Sequence, residues 1–306
     1  MIHGDIVRKH KWWENRRDSN LFWNRVPETL YFILQARCSR SGFLMEKKYK
    51  TKCALVQVEI PNRPIIEASA LLEVLPKREI SVGTFSKKQL YRGHITLNPT
   101  TLIAGNMDVV PWALKRLNCD GPFLTSYPTG LAEFYGRQLS VSTLEEVRRR
   151  VEYDGRPLFV KPLHPFKRFN GFVYESRTDD ANFHGASYRM PVYVSQVVHF
   201  VSEFRVYIAH TSIVGITPYA GHSVFPPTNW LKQILNALQE SKELSAGCSI
   251  DVGLMNDGTW VVVECNDGFA LGQYPGLSSD SYADVIIARW EELMKMADRT
   301  NNQLPT

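Results

Sequence analysis

Two acids and an amide near the C-terminal end have the types and spacing best suited to chemistry: Asp251, Glu264 and Asn266. They lie in two alternating runs on either side of Asp257-Gly258, and an Asp-Gly pair between such runs is a strong hairpin signal. With those two residues as the loop, Asn256 faces Thr259 and Asp251 falls directly opposite Glu264. One face of the ribbon then carries Ile250, Val252, Leu254, Val261, Val263 and Cys265, which is a core face. The other carries Asp251, Gly253, Glu264 and Asn266, with Trp260 and Val262 nearer the turn.

Facing residues of a ribbon hold their Cβ atoms about 5 Å apart, and like charges there repel. At an effective dielectric of ~20 the repulsion is about 3 kcal/mol. A divalent cation held by both carboxylates and the Asn266 amide would neutralise it, as magnesium does when it also holds nucleotide phosphates. The alternative is a hairpin whose acids point at water or at nearby arginines. On the metal reading, Glu264→Gln is expected to stabilise the metal-free chain, because it removes one of the two facing charges.

Around this ribbon the composition sets bounds. A chain of 306 residues with 44% hydrophobic and 22% charged residues has room for one large domain or two to three lobes. No stretch approaches ~18 uninterrupted apolar residues, so no membrane partner is expected. The first residues, Met-Ile-His-Gly-Asp-Ile-Val-Arg, contain no apolar core of the secretory type. Five cysteines, odd in number and without a Cys-x-x-Cys pair, point to a reducing compartment, the cytoplasm, and away from a zinc site. A net charge of +5 suits an enzyme of anionic nucleotides and does not require nucleic acid.

The elements that would position the acids follow from the patterning. In the first third, Lys9, Lys11, Arg16 and Arg17 are interleaved with Trp12, Trp13 and Trp23, which reads as a folded segment with basic tips or as a binding surface. Helices are expected over 27–37 and 105–118, and a strand over 53–60. Thr143 can cap a helix running to Arg150, with Glu145 and Glu146 in its first turn. After a turn at Asp154-Gly155 comes a strand over 157–161 that ends in Lys161 and is stopped by Pro162. A basic loop over 164–171 and a return strand over 172–175 follow. Lys161 and either Lys167 or Arg168 would make a phosphate clamp, although solvated lysines on a surface hairpin show the same pattern. Strands are expected over 192–198, 203–208 and 212–219; in the second, Glu203 and Arg205 share a face with Tyr207, opposite Phe204, Val206 and Ile208. Helices over 229–244 and 281–297 complete the pattern.

In this order the pieces resemble the ATP-grasp ligases. The features that carry the resemblance are a strand ending in Lys161-Pro162, a basic loop, Gln196-Val-Val-His199, Glu203-x-Arg205, and Asp251 followed by Glu264-x-Asn266. Tyr127-Pro128, Gly136-Arg137, Phe159-Val-Lys161-Pro162 and Lys167-x-Phe169-x-Gly171 resemble one divergent clade, characterised by one arginine and two lysines. That clade includes phage and bacterial proteins and a eukaryotic translation-initiation assembly factor. The resemblance spans roughly residues 125–275 and is specific only for the combination.

The resemblance implies an α+β ATP-grasp fold: two lobes of antiparallel sheet plus helices clasping a nucleotide, with an extra N-terminal region. The expected divisions are 1–110, a substrate region; 111–191, the lobe with the phosphate-covering loop; and 192–306, the lobe with the magnesium site. Asp251, Glu264 and Asn266 would hold Mg²⁺ against ATP. Lys161 and Lys167 would contact its phosphates and Arg137 would stand where relatives place their first phosphate lysine. Backbone groups of Gln196, Val197 and Val198 would read adenine, Glu203 would take the ribose, and Arg205 would stabilise the transferred phosphoryl group. Cys265, on the core face, would be buried and inert.

The implied reaction is ATP-dependent ligation of a carboxylate to an amine through an acyl phosphate. Either substrate could be a small molecule, a peptide or a protein. The alternative is an ATP-binding assembly or interaction protein that makes no bond. A third reading, a nucleic-acid binder using the basic N-terminal third, would show binding that falls steeply with salt.

Overall fold

The structure, a computed structural model, describes residues 49–60, 64–163, 169–221 and 224–301, with side chains to residue 298. All of them belong to one compact unit, residues 39–306. The basic and tryptophan-rich segment 9–23 and the helix expected over 27–37 lie outside the described residues.

Three sheets organise the chain. The first is parallel, in the order β2-β1-β3, from β1 (Cys53–Gln57), β2 (Ser81–Phe85) and β3 (Thr101–Ala104). α1 (Ile66–Lys77), α2 (Lys87–Tyr91) and α3 (Val110–Arg116) follow its strands in turn. The strand expected over 53–60 and the helix over 105–118 are therefore shorter than the patterning suggested.

The second sheet is antiparallel, in the order β4-β7-β5-β6: β4 (Leu139–Thr143), β5 (Leu158–Pro162), β6 (Phe172–Tyr174) and β7 (Pro191–Gln196). α4 (Leu144–Asp154) begins where expected, with Thr143 Oγ1 accepting from Glu146 N at 3.2 Å. Its Leu144, Val147 and Val151 pack on Val160, Val192 and Val194, one face of the sheet. Strand alternation sends Lys161 and Tyr193 to the opposite face.

The third sheet, order β11-β10-β8-β9, is also antiparallel: β8 (Phe200–Ala209), β9 (Ser212–Gly221), β10 (Gly247–Met255) and β11 (Trp260–Asp267). Phe204, Val206, Ile208, Ile250 and Val252 form its rear face, covered by Leu231, Ile234, Leu235 and Leu238 of α5 (Thr228–Glu240). Toward its far end the front face, through Tyr207 and Ala209, joins the core of the first sheet around Trp290 and Leu293 of α6 (Ser279–Asn301). The second and third sheets are joined by residues 197–199, between β7 and β8. The observed architecture is the expected one: two lobes of antiparallel sheet with helices, preceded by further structure.

The hairpin departs from its expected form in two ways. Asp251 does stand opposite Glu264 and Ile250 opposite Cys265, but the register shifts between Asp251 and Val252, so that Val252 faces Val262 and Leu254 faces Trp260. A one-residue shift flips every later side chain to the other face. Val262 therefore joins the core beside Val252, where Val263 was expected. The loop also holds three residues, 256–258: Met255 N donates to Thr259 O at 2.9 Å, and Gly258 N to Met255 O at 3.0 Å. Gly258 sits at φ +85°, the left-handed residue that closes a three-residue hairpin loop.

Candidate active site

The front face of the third sheet is a grid of polar side chains set by strand register. One row runs Thr217, Arg205, Asp251, Glu264 across β9, β8, β10 and β11. The next runs Tyr207, Ser249, Asn266. On the side nearer the 197–199 link stand Glu203 and Gly253. Asp251, Glu264 and Asn266, which the spacing placed together, do share this face.

The two acids do not stand against each other unneutralised. Arg205 grips Asp251 in a bidentate pair, Nε to Oδ1 and Nη2 to Oδ2, both at 2.7 Å. Asn266 Nδ2 donates to the same Oδ2 at 3.2 Å. Glu264 accepts from Lys161, Nζ to Oε2 at 2.5 Å, across the gap between the second and third sheets. Lys161 is 2% exposed, Asp251 3% and Arg205 8%, so these charges are almost dry. Burial pushes the Asp251 carboxyl above its ordinary pKa, and the Arg205 charge opposes that shift. For Arg205 burial works against the charge, and Asp251 more than offsets it, raising the guanidinium pKa.

Aromatic rings frame the charges. Arg205 lies 4.6 Å from the Tyr274 ring centroid, and Tyr274 stacks on Tyr219 at 5.1 Å. Tyr219 donates to Glu203 Oε2 at 2.9 Å, which fixes that carboxylate. The Tyr127 ring lies 5.5 Å from Lys161 Nζ and 5.7 Å from the Arg137 guanidinium. Burial raises the hydroxyl pKa of Tyr127, Tyr219 and Tyr274, so all three rings stand beside the charges as neutral walls. Tyr127 was marked only through the Tyr127-Pro128 motif, and Tyr219 and Tyr274 were not singled out: an isolated tyrosine in a strand or loop looks like ordinary core material.

Arg137 is placed on the outer edge of β11. Its Nη1 donates to Val262 O at 3.1 Å and to Tyr135 O at 3.0 Å, and its Nη2 to Val263 O at 2.8 Å. The Val262 and Val263 carbonyls lie beside the register shift, and Cys265 N donates to Ser126 O at 2.8 Å on the same edge. Glu264 is thus held between two clamps. Gly136, at φ +60°, brings this segment in so closely that a Cβ would meet Val261 Cγ1 at 2.4 Å.

Of the other expected site residues, Gln196 ends β7, with its Oε1 accepting from Gln138 N at 3.1 Å, and Val197 and Val198 lie in the link between the sheets. Lys167 and Arg168 lie outside the described residues. Cys265 is buried at 1% exposure, as expected, with its thiol pKa raised by burial.

The donor set suits magnesium in kind: two carboxylates and an amide, all hard oxygen ligands on one ribbon face. Among the described residues no group of three or more His, Cys, Asp and Glu side chains is arranged to cage a metal. Three donors of this kind form half an octahedral shell, which substrate oxygens and water complete in nucleotide sites.

Residues 134–285 match the family model of an ATP-grasp domain, family 2 of the clade with one arginine and two lysines. The chain belongs to the ATP-grasp superfamily. Among solved structures it is similar to the D-alanine–D-alanine ligase of Bacillus anthracis complexed with ATP, at 13% identity and TM-score 0.49, over 82% of this chain and 99% of that one. It is also similar to a RimK domain ATP-grasp protein from Sphaerobacter thermophilus, at 17% identity and TM-score 0.46, over 80% and 98%. A third is the macrocyclase MdnC from Microcystis aeruginosa, bound with its precursor peptide MdnA, at 12% identity and TM-score 0.47, over 77% and 98%. No curated protein matches. No described helix is long and apolar enough to cross a membrane.

Proposed function

We propose that the protein is an ATP-dependent carboxylate–amine ligase that forms ADP and an acyl phosphate. The observation that carries the reading is the meeting, on one dry face, of Asp251, Glu264 and Asn266 with Lys161 and Arg205, inside a chain of the ATP-grasp superfamily. ATP is the phosphoryl donor. The adenine lies by the 197–199 link, its ribose on Glu203, and the triphosphate runs along the Arg205–Asp251–Glu264 row toward Lys161.

Asp251, Glu264 and Asn266 would hold Mg²⁺, which when bound draws charge from the phosphoryl oxygens. Lys161 neutralises phosphate from the second sheet, and Lys167 is proposed to cover it from the loop. The substrate carboxylate oxygen attacks the γ-phosphorus as the bond to the ADP oxygen breaks. Arg205 offsets the charge that gathers on the transferring oxygens, in a site where low water content strengthens every such contact. The amine then attacks the acyl carbon, phosphate leaves with the C–O bond electrons, and the amine proton is lost to solvent. No side-chain nucleophile is required; positioning does most of the work.

ADP release is the test, measured with Mg-ATP against a panel of amino acids, peptides and protein extract, with product mass as a second readout. Amine- and carboxylate-dependent ADP with a product lighter by one water than its parts supports ligation. Tight Mg-ATP binding with no ADP from any mixture would instead favour an assembly role.

A further inference from the structure

Where α1 meets the third sheet, a carboxylate outside the described row comes close to Arg205. Glu67 lies half-buried in the first turn of α1, and its Oε1 accepts from Gln273 N at 3.2 Å. Gly272, in the loop between β11 and α6, stands between that carboxylate and the Arg205 guanidinium. The Cβ that Gly272 lacks would lie 3.6 Å from Glu67 Oε1 and 3.9 Å from Arg205 Nη1. Apart from Gly272 and its chain neighbours, no other described atom comes within 4 Å of that point. Arg205 pairs with Asp251 through Nε and Nη2, which leaves Nη1 without a partner among the described residues. Glu67 Oε2 likewise has none among them. The loop is firmly held. Tyr207 Oη donates to Gly272 O at 3.0 Å and accepts from Tyr274 N at 2.9 Å, and Tyr282 Oη donates to Leu271 O at 2.8 Å. A carboxylate in a first turn ordinarily serves the helix dipole. This one also faces a guanidinium across a gap that a missing side chain keeps open.

We propose that Glu67 is the catalytic residue of the amine half-reaction: it binds the acceptor as a primary ammonium and takes one proton as the nitrogen attacks. The inference rests on the ligase reading given above. With an acyl phosphate on Arg205, charges alternate across the gap: guanidinium, phosphoryl, ammonium, carboxylate. Proton transfer to Glu67 frees the nitrogen lone pair, which forms the C–N bond. The C–O bond then breaks with its electrons on phosphate, which also carries off the second nitrogen proton. Glu67 finally returns its own proton to solvent. The substrate class that follows is a primary amine that is a cation in solution. A nucleophile already neutral, such as hydroxylamine near pH 7, needs neither the anion nor the proton acceptor.

The test is ADP release by the full chain near pH 7, with Mg-ATP and the carboxylates of the ligase panel. Each carboxylate is paired with hydroxylamine or with the amino acids and peptides as cationic amines. Glu67→Gln keeps an oxygen for Gln273 N but loses the charge. It is expected to lower the ratio of amine-driven to hydroxylamine-driven ADP release on the order of a hundredfold, with Glu67→Asp recovering part of it. Gly272→Ala is the second variant. Its new Cβ would make only ordinary contacts, at 3.6 and 3.9 Å, yet would fill the gap, so the same ratio should fall. An unchanged ratio in folded Glu67→Gln would overturn the proposal, as would a wild type that uses hydroxylamine and none of the cationic amines. If Glu67→Gln does not fold by circular dichroism, Gly272→Ala decides in the same way. A wild type that releases no ADP from any mixture would instead remove the ligase reading, and this proposal with it.

Discussion

Lys161 Nζ lies 2.5 Å from Glu264 Oε2, a direct tie between β5 of the second sheet and β11 of the third. The two residues are 103 positions apart in the chain. This pair reverses one expectation drawn from the hairpin alone. With Asp251 as its only neighbour, Glu264 would destabilise the metal-free fold, and Glu264→Gln would relieve it. With a 2%-exposed lysine as its partner, Glu264 is instead the anion that makes that lysine tolerable. Glu264→Gln should lower metal-free stability by about 1.5–3 kcal/mol, the usual worth of a hydrogen bond to a charged group. Urea unfolding at pH 7 measures it, and a variant more stable than wild type would return the account to unrelieved repulsion.

Arg137 satisfies three carbonyls with one planar fork, two of them beside the β10–β11 register shift. An ammonium cannot reproduce that geometry. Arg137→Lys should therefore loosen β11, with faster amide hydrogen exchange at Glu264 and Cys265 and no change in α5. Unchanged exchange along β11 would show that the clamp does not hold the shift.

Glu243 accepts from Thr129 N at 2.9 Å and Gly130 N at 2.7 Å, anchoring the segment that leads to Arg137. Burial works against its charge, but these donors prevail and its pKa is lowered. A lowered carboxylate pKa gives stability that is present above the unfolded value, about 4.3, and is lost as pH falls through the folded one. Glu243→Gln should be less stable than wild type by about 1 kcal/mol at pH 7. That gap should narrow below about pH 4.3 and close in stronger acid. A gap as wide at pH 3 as at pH 7 would exclude the carboxylate as its source.

Gly258 has φ +85°, and a Cβ there would meet nothing within 4 Å. Gly258→Ala thus isolates backbone strain and should cost about 1 kcal/mol. Denaturant midpoints for the two chains check it; an unchanged midpoint would mean the loop relaxes to another turn.

How far the fold and site were legible depended on which signals were local. The Asp-Gly turn and the alternation up to Asp251 and Glu264 set the acids face to face. The register shift was invisible because Val261, Val262 and Val263 are identical, so an extra residue leaves no mark on the pattern. β3 escaped notice for a related reason: it is buried at all four positions and shows no alternation. Glu203 and Arg205 were visible as a charged pair on one strand. That Arg205 would close on Asp251, 46 residues away, was not visible, since sheet order decides it.

The most direct test of the central claim is calorimetric titration of Mg-ATP into wild type and Asp251→Asn. The account predicts saturable binding to wild type, weakened on the order of tenfold or more in the variant, which loses a metal oxygen and the partner of Arg205. A wild-type chain that does not bind Mg-ATP, or a variant that binds it equally well, would contradict the placing of the nucleotide on this face.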